Sequence, residues 1–445
     1  MTIADEKLEA HAFDILQRLL RIDTTNPPGN EIEAARLLEE ELQKAGIEST
    51  ILESAPGRGN IVARLRGSGK KRPLLLTAHL DVVEAEPESW THPPFSGEVH
   101  DGCLWGRGAI DMKNHAAMSV AIMCRLAKEG VKLDRDLIFA GVADEEAGCR
   151  FGSLFLVQKH RELVDAEYAI GEGGGFNIHL GNKSFFTVQV AEKGVCWIKA
   201  RVRGEPGHGS MPRSDSAVVK MAEAIAKLGK RGMPVRPPEA FKDFVAALAQ
   251  NQPKIVGALL PKLLHPKLAP HVLAALPDPS MRRALMAMMG NTASPTVVRA
   301  GQKTNVIPGV AEFEIDGRIV PGDTVDDFLE ELRAILGEEV ELEVMHSLPP
   351  VVESDGTELH DLIRAVMRER APESPVIPYM LPGFTDAKAF TSIGIKWVGF
   401  SPVKMPKGIK FADLFHGHDE RIPVDGFHFG TRVLADVVTR FVAAS

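Results

Sequence analysis

The sequence has few cysteines and no long apolar run, and both scarcities exclude classes of protein. Its four cysteines lack the paired spacing of a zinc ribbon and the density of a disulfide scaffold, so reduced thiols in a cytoplasm fit best. No stretch reaches the roughly 18 apolar residues of a membrane span. The amino-terminal segment is a charged amphipathic helix pattern rather than a secretory leader. We therefore expect a cytoplasmic protein with no membrane partner.

The charge balance is mildly acidic and shows no basic stripe. The chain has 52 basic and 60 acidic residues, a formal net charge of −8, and no run of lysine and arginine, which argues against a nucleic-acid partner. The apolar share of 44% and the charged share of 25% are those of an ordinary soluble protein. Because 445 residues exceed the size at which one core stops growing, two domains are expected.

Strand and helix patterns alternate at both ends of the chain but not in the middle. The alternation predicts an α/β domain made of residues 1–194 and 347–445, layered as a mixed sheet flanked by helices, with its site at the carboxyl ends of the strands. Residues 195–346 show exposed, alternating strands and amphipathic helices, which predict a smaller α+β domain. Within it, residues 234–291 form an apolar, proline-broken helical insertion.

Acidic and imidazole side chains recur at strand ends and loop entries. They are His79, Asp81, Asp111, Glu145, Glu146, Glu172 and His416. Oxygen and imidazole ligands suit Zn²⁺ or a similar borderline divalent ion, and a site with two such ions can share a carboxylate. Metal-assisted hydrolysis is therefore the leading hypothesis.

Spacing supports some of these roles and leaves others open. His79 and Asp81 are two apart at a strand end and point to the same side, so Asp81 can hold the second imidazole nitrogen, or it can cap the following turn. Asp111 lies between a glycine-rich turn and a helix, where it can bind metal, cap the helix, or do both. The neighbouring Glu145 and Glu146 repel each other unless a cation or proton compensates.

One of these two glutamates is expected to bind metal while the other takes a proton from the attacking water. Glu172 follows a short strand in a glycine-flanked turn and offers another oxygen ligand. His416 and His418 both precede an acidic pair, and spacing alone does not choose between them.

Eight ordered motifs carry a resemblance over nearly the whole chain. They are TAHLDVV, GRGAIDMK, ADEEAG, GEGG, GEPGHGSMP, TNVIPG, DGRIVPG and HGHDER. In this order they resemble the metallopeptidase family that includes glutamate carboxypeptidase, succinyl-diaminopimelate desuccinylase, acetylornithine deacetylase and aminoacylase. The resemblance implies a catalytic domain with two Zn²⁺ per subunit, for which Co²⁺ or Mn²⁺ can substitute, interrupted by a lid or dimerisation domain in a homodimer.

The resemblance also implies a role for each candidate residue. It gives His79 and Glu172 to one metal, Glu146 and His416 to the other, and Asp111 to both. His416 is preferred to His418 because HGHDE matches the family's His-x-x-x-Glu pattern. Asp81 would orient His79, Glu145 would be the general base, and the Asp111–Met112 peptide would be cis.

In the lid, His208 matches the family histidine that reaches into the partner subunit's active site to stabilise the tetrahedral oxyanion. Asn305 and Arg318 match residues expected near the substrate carboxylate, although their own patterns also fit a turn residue and a surface charge. Gly383 is expected to give backbone contacts to the substrate, but Phe384 departs from the family's richer glycine run.

The expected substrate is a small carboxylate-bearing molecule, an N-acyl amino acid or a dipeptide. The insertion 234–291 resembles that of carboxypeptidase S and the N-fatty-acyl amino acid hydrolases, which favours an apolar acyl portion. Its leucines could equally pack the lid or enlarge a dimer interface. Two other functions remain open: a catalytically silent binding protein, and an N-acyl amino acid synthase that runs condensation at the same site.

Overall fold

The computed structural model of the protein describes residues 3–276, 278–352, 356–409 and 411–444. The helices are α1 (Ile3–Leu20), α2 (Glu31–Lys44), α3 (Lys113–Lys128), α4 (Ser153–Lys159), α5 (Arg161–Val164), α6 (Ala217–Arg231), α7 (Glu239–Gln250), α8 (Lys254–Leu259), α9 (Ala269–Ala275), α10 (Pro279–Met288), α11 (Val325–Leu336), α12 (Glu358–Arg370), α13 (Ala387–Thr391), α14 (Phe411–Leu414) and α15 (Val424–Val442). Within these ranges no helix has both the length and the apolar character needed to cross a bilayer.

The strands are β1 (Glu48–Glu53), β2 (Gly59–Leu65), β3 (Leu74–His79), β4 (Val99–His100), β5 (Cys103–Trp105), β6 (Leu137–Val142), β7 (Tyr168–Gly171), β8 (Asn177–Leu180), β9 (Lys183–Glu192), β10 (Gly194–Arg203), β11 (Gly207–His208), β12 (Thr292–Ala300), β13 (Val306–Ile307), β14 (Val310–Ile319), β15 (Val340–Leu348), β16 (Val351–Val352), β17 (Val376–Leu381), β18 (Lys396–Gly399) and β19 (Arg421–Pro423).

The chain divides into two compact units. The larger unit comprises Met1–Val190, Glu353–Tyr379 and Thr385–Ser445, and the smaller comprises Ala191–Val352 and Met380–Phe384. The smaller unit is therefore longer at both ends than the range 195–346 derived from the sequence. The difference arises because residues 191 and 192 of β9 pair with the two residues of β16, which draws both strand ends into one unit.

The larger unit is built on a mixed sheet, as the sequence predicts. Its strands follow the order β1-β2-β6-β3-β7-β18-β9, and the four central strands β6, β3, β7 and β18 are parallel. Every residue of β3 and β6 is buried, which explains their continuous apolar sequences. Helices α2, α3 and α13 pack against the strands, and α1 and α15 pack on α3.

The parallel strands bring their carboxyl ends to one edge of this sheet. β3 ends at His79, β6 ends two residues before Asp144, and β7 ends directly before Glu172. A separate three-stranded sheet, ordered β19-β5-β4, lies in the same unit, and β19 directly follows Glu420. Residues far apart in the sequence therefore reach one region of the larger unit.

Helix α3 buries a histidine that makes stability depend on pH. His115 is fully buried, and burial lowers its pKa from an ordinary 6.5 to about 4. Between these two values the unfolded chain binds a proton that the folded chain does not, so the free energy of unfolding falls as the pH drops. We expect this residue alone to remove about 2 kcal/mol between pH 7 and pH 5.

Chemical unfolding of the metal-free protein at both pH values measures this contribution. The loss between pH 7 and pH 5 should be about 2 kcal/mol smaller in His115→Leu than in the wild type. The His271→Leu variant provides the matched control for replacing a histidine with leucine, because His271 lies exposed on α9. An equal loss in His115→Leu and the wild type would contradict the assignment.

The smaller unit is an α+β layer with its own core. Its antiparallel sheet follows the order β12-β14-β10-β15, and α6 and α11 contact these strands. Along β14 burial alternates strictly, so every second side chain, including those of Phe313 and Ile315, faces the core. The helices complete this core with residues such as Phe328 and Leu332.

The insertion 234–291 folds into helices α7–α10 and a short 3₁₀ turn. Phe241, Val245 and Leu263 are fully buried and form part of its own packing, because α7, α8 and α9 all contact the turn at Leu260–Leu264. Other apolar residues of the insertion are exposed, among them Ile255, which is 79% exposed. Packing therefore explains only part of its apolar composition.

Candidate metal centre

His79 lies at the middle of a cluster of carboxylates. Its Nδ1 lies 3.0 Å from the backbone carbonyl oxygen of Asp81, an acceptor, so Nδ1 carries the proton. Its Nε2 faces the carboxylate of Asp111 at 3.0 Å, that of Glu172 at 3.8 Å and that of Glu145 at 4.0 Å. Burial disfavours the charged ring, but the hydrogen bond to Asp111 and the charges of Glu172 and Glu145 outweigh it and raise the pKa of His79 well above its ordinary value. Without metal, Nε2 therefore also carries a proton, which a bound cation would replace.

Asp111 joins this histidine to a second one. One of its carboxylate oxygens faces His79, and the other lies 3.3 Å from Nε2 of His416. The Asp111–Met112 peptide is cis, as the family resemblance predicts. Helix α3 takes Met112 as its N-cap and has no side-chain cap, so Asp111 does not serve the helix and is available to the cluster.

Glu146 completes the second side of the cluster. Its carboxylate lies 3.1 Å from Nε2 of His416. His418, the alternative from the sequence, instead lies 3.9 Å from the carboxylate of Glu86. Two groups of potential ligand atoms result, each with its atoms within 4.8 Å of one another: His79 with Glu145 and Glu172, and His79 with Asp111 and Glu146.

Two features of the cluster, its oxygen atoms without hydrogen-bond partners and its balance of charge, show whether divalent cations fit it. Among the described residues, one buried oxygen of Glu145 and one of Glu172 have no hydrogen-bond partner. Four carboxylates and two imidazoles at these distances provide more negative charge than the two rings can balance. The donor set therefore fits a pair of borderline divalent cations.

The shifted pKa values show that, in the absence of metal, the cluster binds protons to offset its negative charge. Burial, followed by the charge of Glu172, raises the pKa of Glu145 well above its ordinary value, and burial likewise raises that of Glu172. The hydrogen bonds that His416 donates to the carboxylates of Asp111 and Glu146 raise its pKa to about 10. Without metal, bound protons therefore neutralise part of the negative charge that divalent cations would otherwise neutralise.

Asp81 holds the glutamate pair more directly than it holds the histidine. Its carboxylate accepts the backbone N–H groups of Glu145 and Glu146, both at 3.1 Å, whereas it lies 3.7 Å from His79 Nδ1. The backbone carbonyl of Asp81 is the nearer partner of the imidazole. The residue therefore fixes the turn that presents both glutamates.

A buried polar network beneath Asp81 was not evident in the sequence. Asn26 donates its amide to Asp81 at 2.8 Å and to Asp144 at 3.2 Å. Arg58 forms a two-bond pair with Glu31 at 2.9 and 2.7 Å and reaches Asp144 at 3.0 Å. Four segments distant in sequence meet here, at residues 26–31, 58, 81 and 144, and no local motif marks their association.

Glu420 anchors the loop that presents Asp111. Its buried carboxylate accepts the backbone N–H groups of Gly108, Ile110 and Asp111 at 3.0, 2.8 and 3.2 Å, and it pairs with Arg107 at 2.9 Å. In the sequence, this glutamate of the HGHDER motif favours His416 over His418 as a ligand and indicates no role of its own. Its charge-assisted bonds identify it as a positioning residue for the metal cluster.

In the smaller unit, His208 and Asn305 are neighbours. The two residues of β11 pair with β13, and the backbone N–H of Gly209 donates to the carbonyl oxygen of Asn305 at 2.9 Å. His208 is exposed, and its Nδ1 accepts the backbone N–H of Ser210 at 3.2 Å. A neutral His208 therefore carries its proton on Nε2, where it can donate to an oxyanion.

Arg318 and Gly383 also belong to the smaller unit. Arg318 lies on β14 and forms two bonds with the carboxylate of Asp316, at 2.9 and 3.1 Å. Together with Trp197 and Met345 these two residues line a shallow pocket on the sheet. Gly383 lies in the segment 380–384, where an added Cβ would contact only the side chain of Leu381.

Residues 75–440 match the model of peptidase family M20/M25/M40, which covers most of the chain. The chain belongs to this peptidase family. The N-fatty-acyl-amino acid synthase/hydrolase PM20D1 of Xenopus tropicalis is 29% identical over 435 residues, which cover 94% of this chain and 83% of that protein. Aminoacylase-1A of Rattus norvegicus is 26% identical over 455 residues, with coverage of 100% and 97%.

A solved structure shows the same fold. The M20 family metallo-carboxypeptidase Sso-CP2 of Sulfolobus solfataricus aligns with a TM-score of 0.72 at 18% identity, over 98% of this chain and 99% of that one. Membership of the M20/M25/M40 family makes the chain a metal-dependent hydrolase of amide or peptide bonds and implies a bound metal. Family membership favours hydrolysis over synthesis and over silent binding.

Proposed function

We propose that the cluster around Asp111 holds two Zn²⁺ ions and hydrolyses N-acyl amino acids or dipeptides. The observation that carries the proposal is the position of the Asp111 carboxylate, whose two oxygens face two different imidazoles at 3.0 and 3.3 Å. His79 and Glu172 would hold one ion, and Glu146 and His416 the other. Bound there, the ions would supply Lewis-acid activation of the amide carbonyl and of water.

The chain's own residues would then move the proton. Glu145 has a buried oxygen with no partner within the described part of the chain, so it is available to accept a proton from the attacking water. The same carboxyl would return the proton to the leaving nitrogen. The carboxylate of Asp81 accepts the backbone N–H of Glu145 and so keeps Glu145 in place. The base therefore needs no rearrangement before it reacts.

The substrate carboxylate and the oxyanion would be held by residues of the smaller unit. Arg318 offers a planar pair of donors, and Asp316 keeps that guanidinium oriented along the strand. Asn305 and Gly383 would add polar and backbone contacts. His208 would act in the partner subunit of a homodimer, where its exposed Nε2–H can stabilise the oxyanion.

The exposed apolar residues of the insertion support substrates with an apolar acyl or side-chain portion. Ile255 and Leu259, which are 79% and 43% exposed, both lie on α8. The four cysteines are unpaired and buried, which supports a reducing compartment such as the cytoplasm.

A substrate panel tests the proposal. Zinc- or cobalt-loaded protein should hydrolyse one class among acetyl-, succinyl-, aromatic- and long-acyl amino acids and dipeptides, and that activity should vanish in Glu145→Ala. Incubation with amine and free acid, followed by product analysis, tests for synthesis. If metal-loaded protein hydrolysed no member of the panel, the substrate proposal would fail.

A further inference from the structure

A second group of metal-type donors lies outside the catalytic cluster. His92, Glu98 and His100 each offer one ligand atom, and these atoms all lie within 4.8 Å of one another. None of the three belongs to a motif with an assigned role. We infer that these residues form a third divalent-cation site, the peripheral site, which binds Zn²⁺ or Co²⁺ independently of the catalytic pair.

The distances within the peripheral site are close to those of a bound ion. His100 Nε2 lies 3.0 Å from a carboxylate oxygen of Glu98. Two ligands of a tetrahedral zinc ion, with bonds of about 2.0–2.1 Å, lie roughly 3.3 Å apart. An ion can therefore replace the shared proton with a shift of a few tenths of an ångström.

The third donor needs only a ring rotation. The rings of His92 and His100 are parallel, with centroids 3.7 Å apart and an interplanar angle of 3°. Stacking brings the nitrogens of the two rings close, but it does not point both lone pairs at one position. His92 is only partly buried, and binding of an ion requires its ring to turn out of the stack with His100 and the edge contact with Trp105 towards Glu98.

The frame around the peripheral site is rigid. Glu98 directly precedes β4 and His100 is its last residue, and the carboxylate of Glu98 and Nε2 of His100 lie on one side, 3.0 Å apart. Trp105 of β5, which is 7% exposed, stacks edge-on against His92 at 4.6 Å and donates its indole N–H to the carbonyl oxygen of His100 at 3.1 Å. Arg421 of β19 covers the Trp105 ring.

This frame is joined to the loop that carries His416. Thr91, next to His92, donates its backbone N–H and its hydroxyl to the carboxylate of Asp419 at 2.7 and 2.8 Å. Asp419 lies three residues after His416 and directly before Glu420. An ion in the peripheral site would restrict His92 and, through Thr91, the loop 415–420.

Metal counting in loaded protein tests the inference. Protein freed of metal and dialysed against micromolar Zn²⁺ or Co²⁺ should bind one more ion per chain than His100→Ala, as measured by mass spectrometry of the dialysed protein. Glu98→Gln should lower the affinity for this additional ion at least tenfold. The matched control His271→Ala, an exposed histidine on α9, should keep the wild-type count.

Two further measurements separate the peripheral site from the catalytic cluster and from misfolding. Asp111→Asn should lose ions from the catalytic cluster and still retain the one that His100→Ala lacks. With only enough metal to fill the catalytic cluster, the peripheral variants should hydrolyse substrate at the wild-type rate. Equal rates would show that the variants are folded. Equal ion counts and equal titration curves for the wild type and His100→Ala would overturn the inference.

Hydrogen exchange tests the link to the loop. Zinc added after the catalytic cluster is full should slow exchange in segments 90–105 and 415–420 of the wild type, with no such change in His100→Ala. Slowing that was the same in both proteins would contradict the link between the peripheral site and the loop.

Discussion

Replacement of Glu145 with glutamine is expected to lower kcat by about 10²–10⁴-fold, the usual contribution of a positioned acid–base group. Glutamine keeps the shape and the hydrogen-bonding capacity of the side chain but cannot accept a proton from water. The carboxylate lies 4.0 Å from His79 Nε2, farther than those of Asp111 and Glu172. Metal content should therefore stay at the wild-type value, measured by mass spectrometry of the loaded protein.

Glu146→Gln provides the matched control, because the two glutamates are adjacent and share Asp81 as an anchor. Glu146 is only 3.1 Å from His416 Nε2, so we expect its replacement to lower both activity and bound metal. Loss of metal in Glu145→Gln with retention in Glu146→Gln would reverse the two roles. That outcome would still fit the sequence, in which the pair alone does not distinguish ligand from base.

The geometry explains why a single turn can serve both roles. Asp144, two residues after the end of the parallel strand β6, adopts a left-handed backbone conformation with φ of 66°. The turn then presents two consecutive N–H groups to one carboxylate, that of Asp81. The two glutamate side chains are consequently fixed relative to each other before substrate binds, which is the preorganisation that acid–base catalysis needs.

The sequence predicts that the candidate residues at the strand ends lie together, because each is carried by a local pattern. His79 and Glu172 directly end or follow buried apolar strands, and parallel pairing brings those ends together. Periodicity and the apolar runs are sufficient for this step, since they require no knowledge of which side chains meet. The mixed sheet was predictable on the same basis.

The supporting side chains could not be predicted in this way. The bonds of Glu420 to the backbone at Gly108 and Ile110 span about 310 positions of sequence, and a glutamate after a histidine has no local feature that identifies such partners. Arg58 lies at the start of β2 and reads as an ordinary surface charge, yet it is 6% exposed. Only the packed structure shows which acidic groups surround it.

The largest stability effect is expected from Arg58→Met. Arg58 pairs with Glu31, which is fully buried, and with Asp144, which is 3% exposed. Methionine matches much of the side-chain volume but leaves two buried carboxylates without their cation. Removal of one partner from a buried ion pair typically costs about 3–5 kcal/mol, and we expect a loss of that size in the free energy of unfolding measured in urea.

A matched pair of variants separates this effect from the loss of any arginine. Arg203→Met removes an arginine that is 62% exposed and pairs with Glu341, so it should lower the free energy of unfolding far less than Arg58→Met does. Addition of Glu31→Gln to Arg58→Met should recover part of the stability, because the amide removes one uncompensated charge. A cost below about 1 kcal/mol for Arg58→Met would contradict the network, since a pair worth so little behaves as a surface pair. Because Arg58 also bonds to Asn26 at 3.3 Å, and Asn26 holds Asp81, the folded fraction of the variant should show a lower kcat with unchanged metal content.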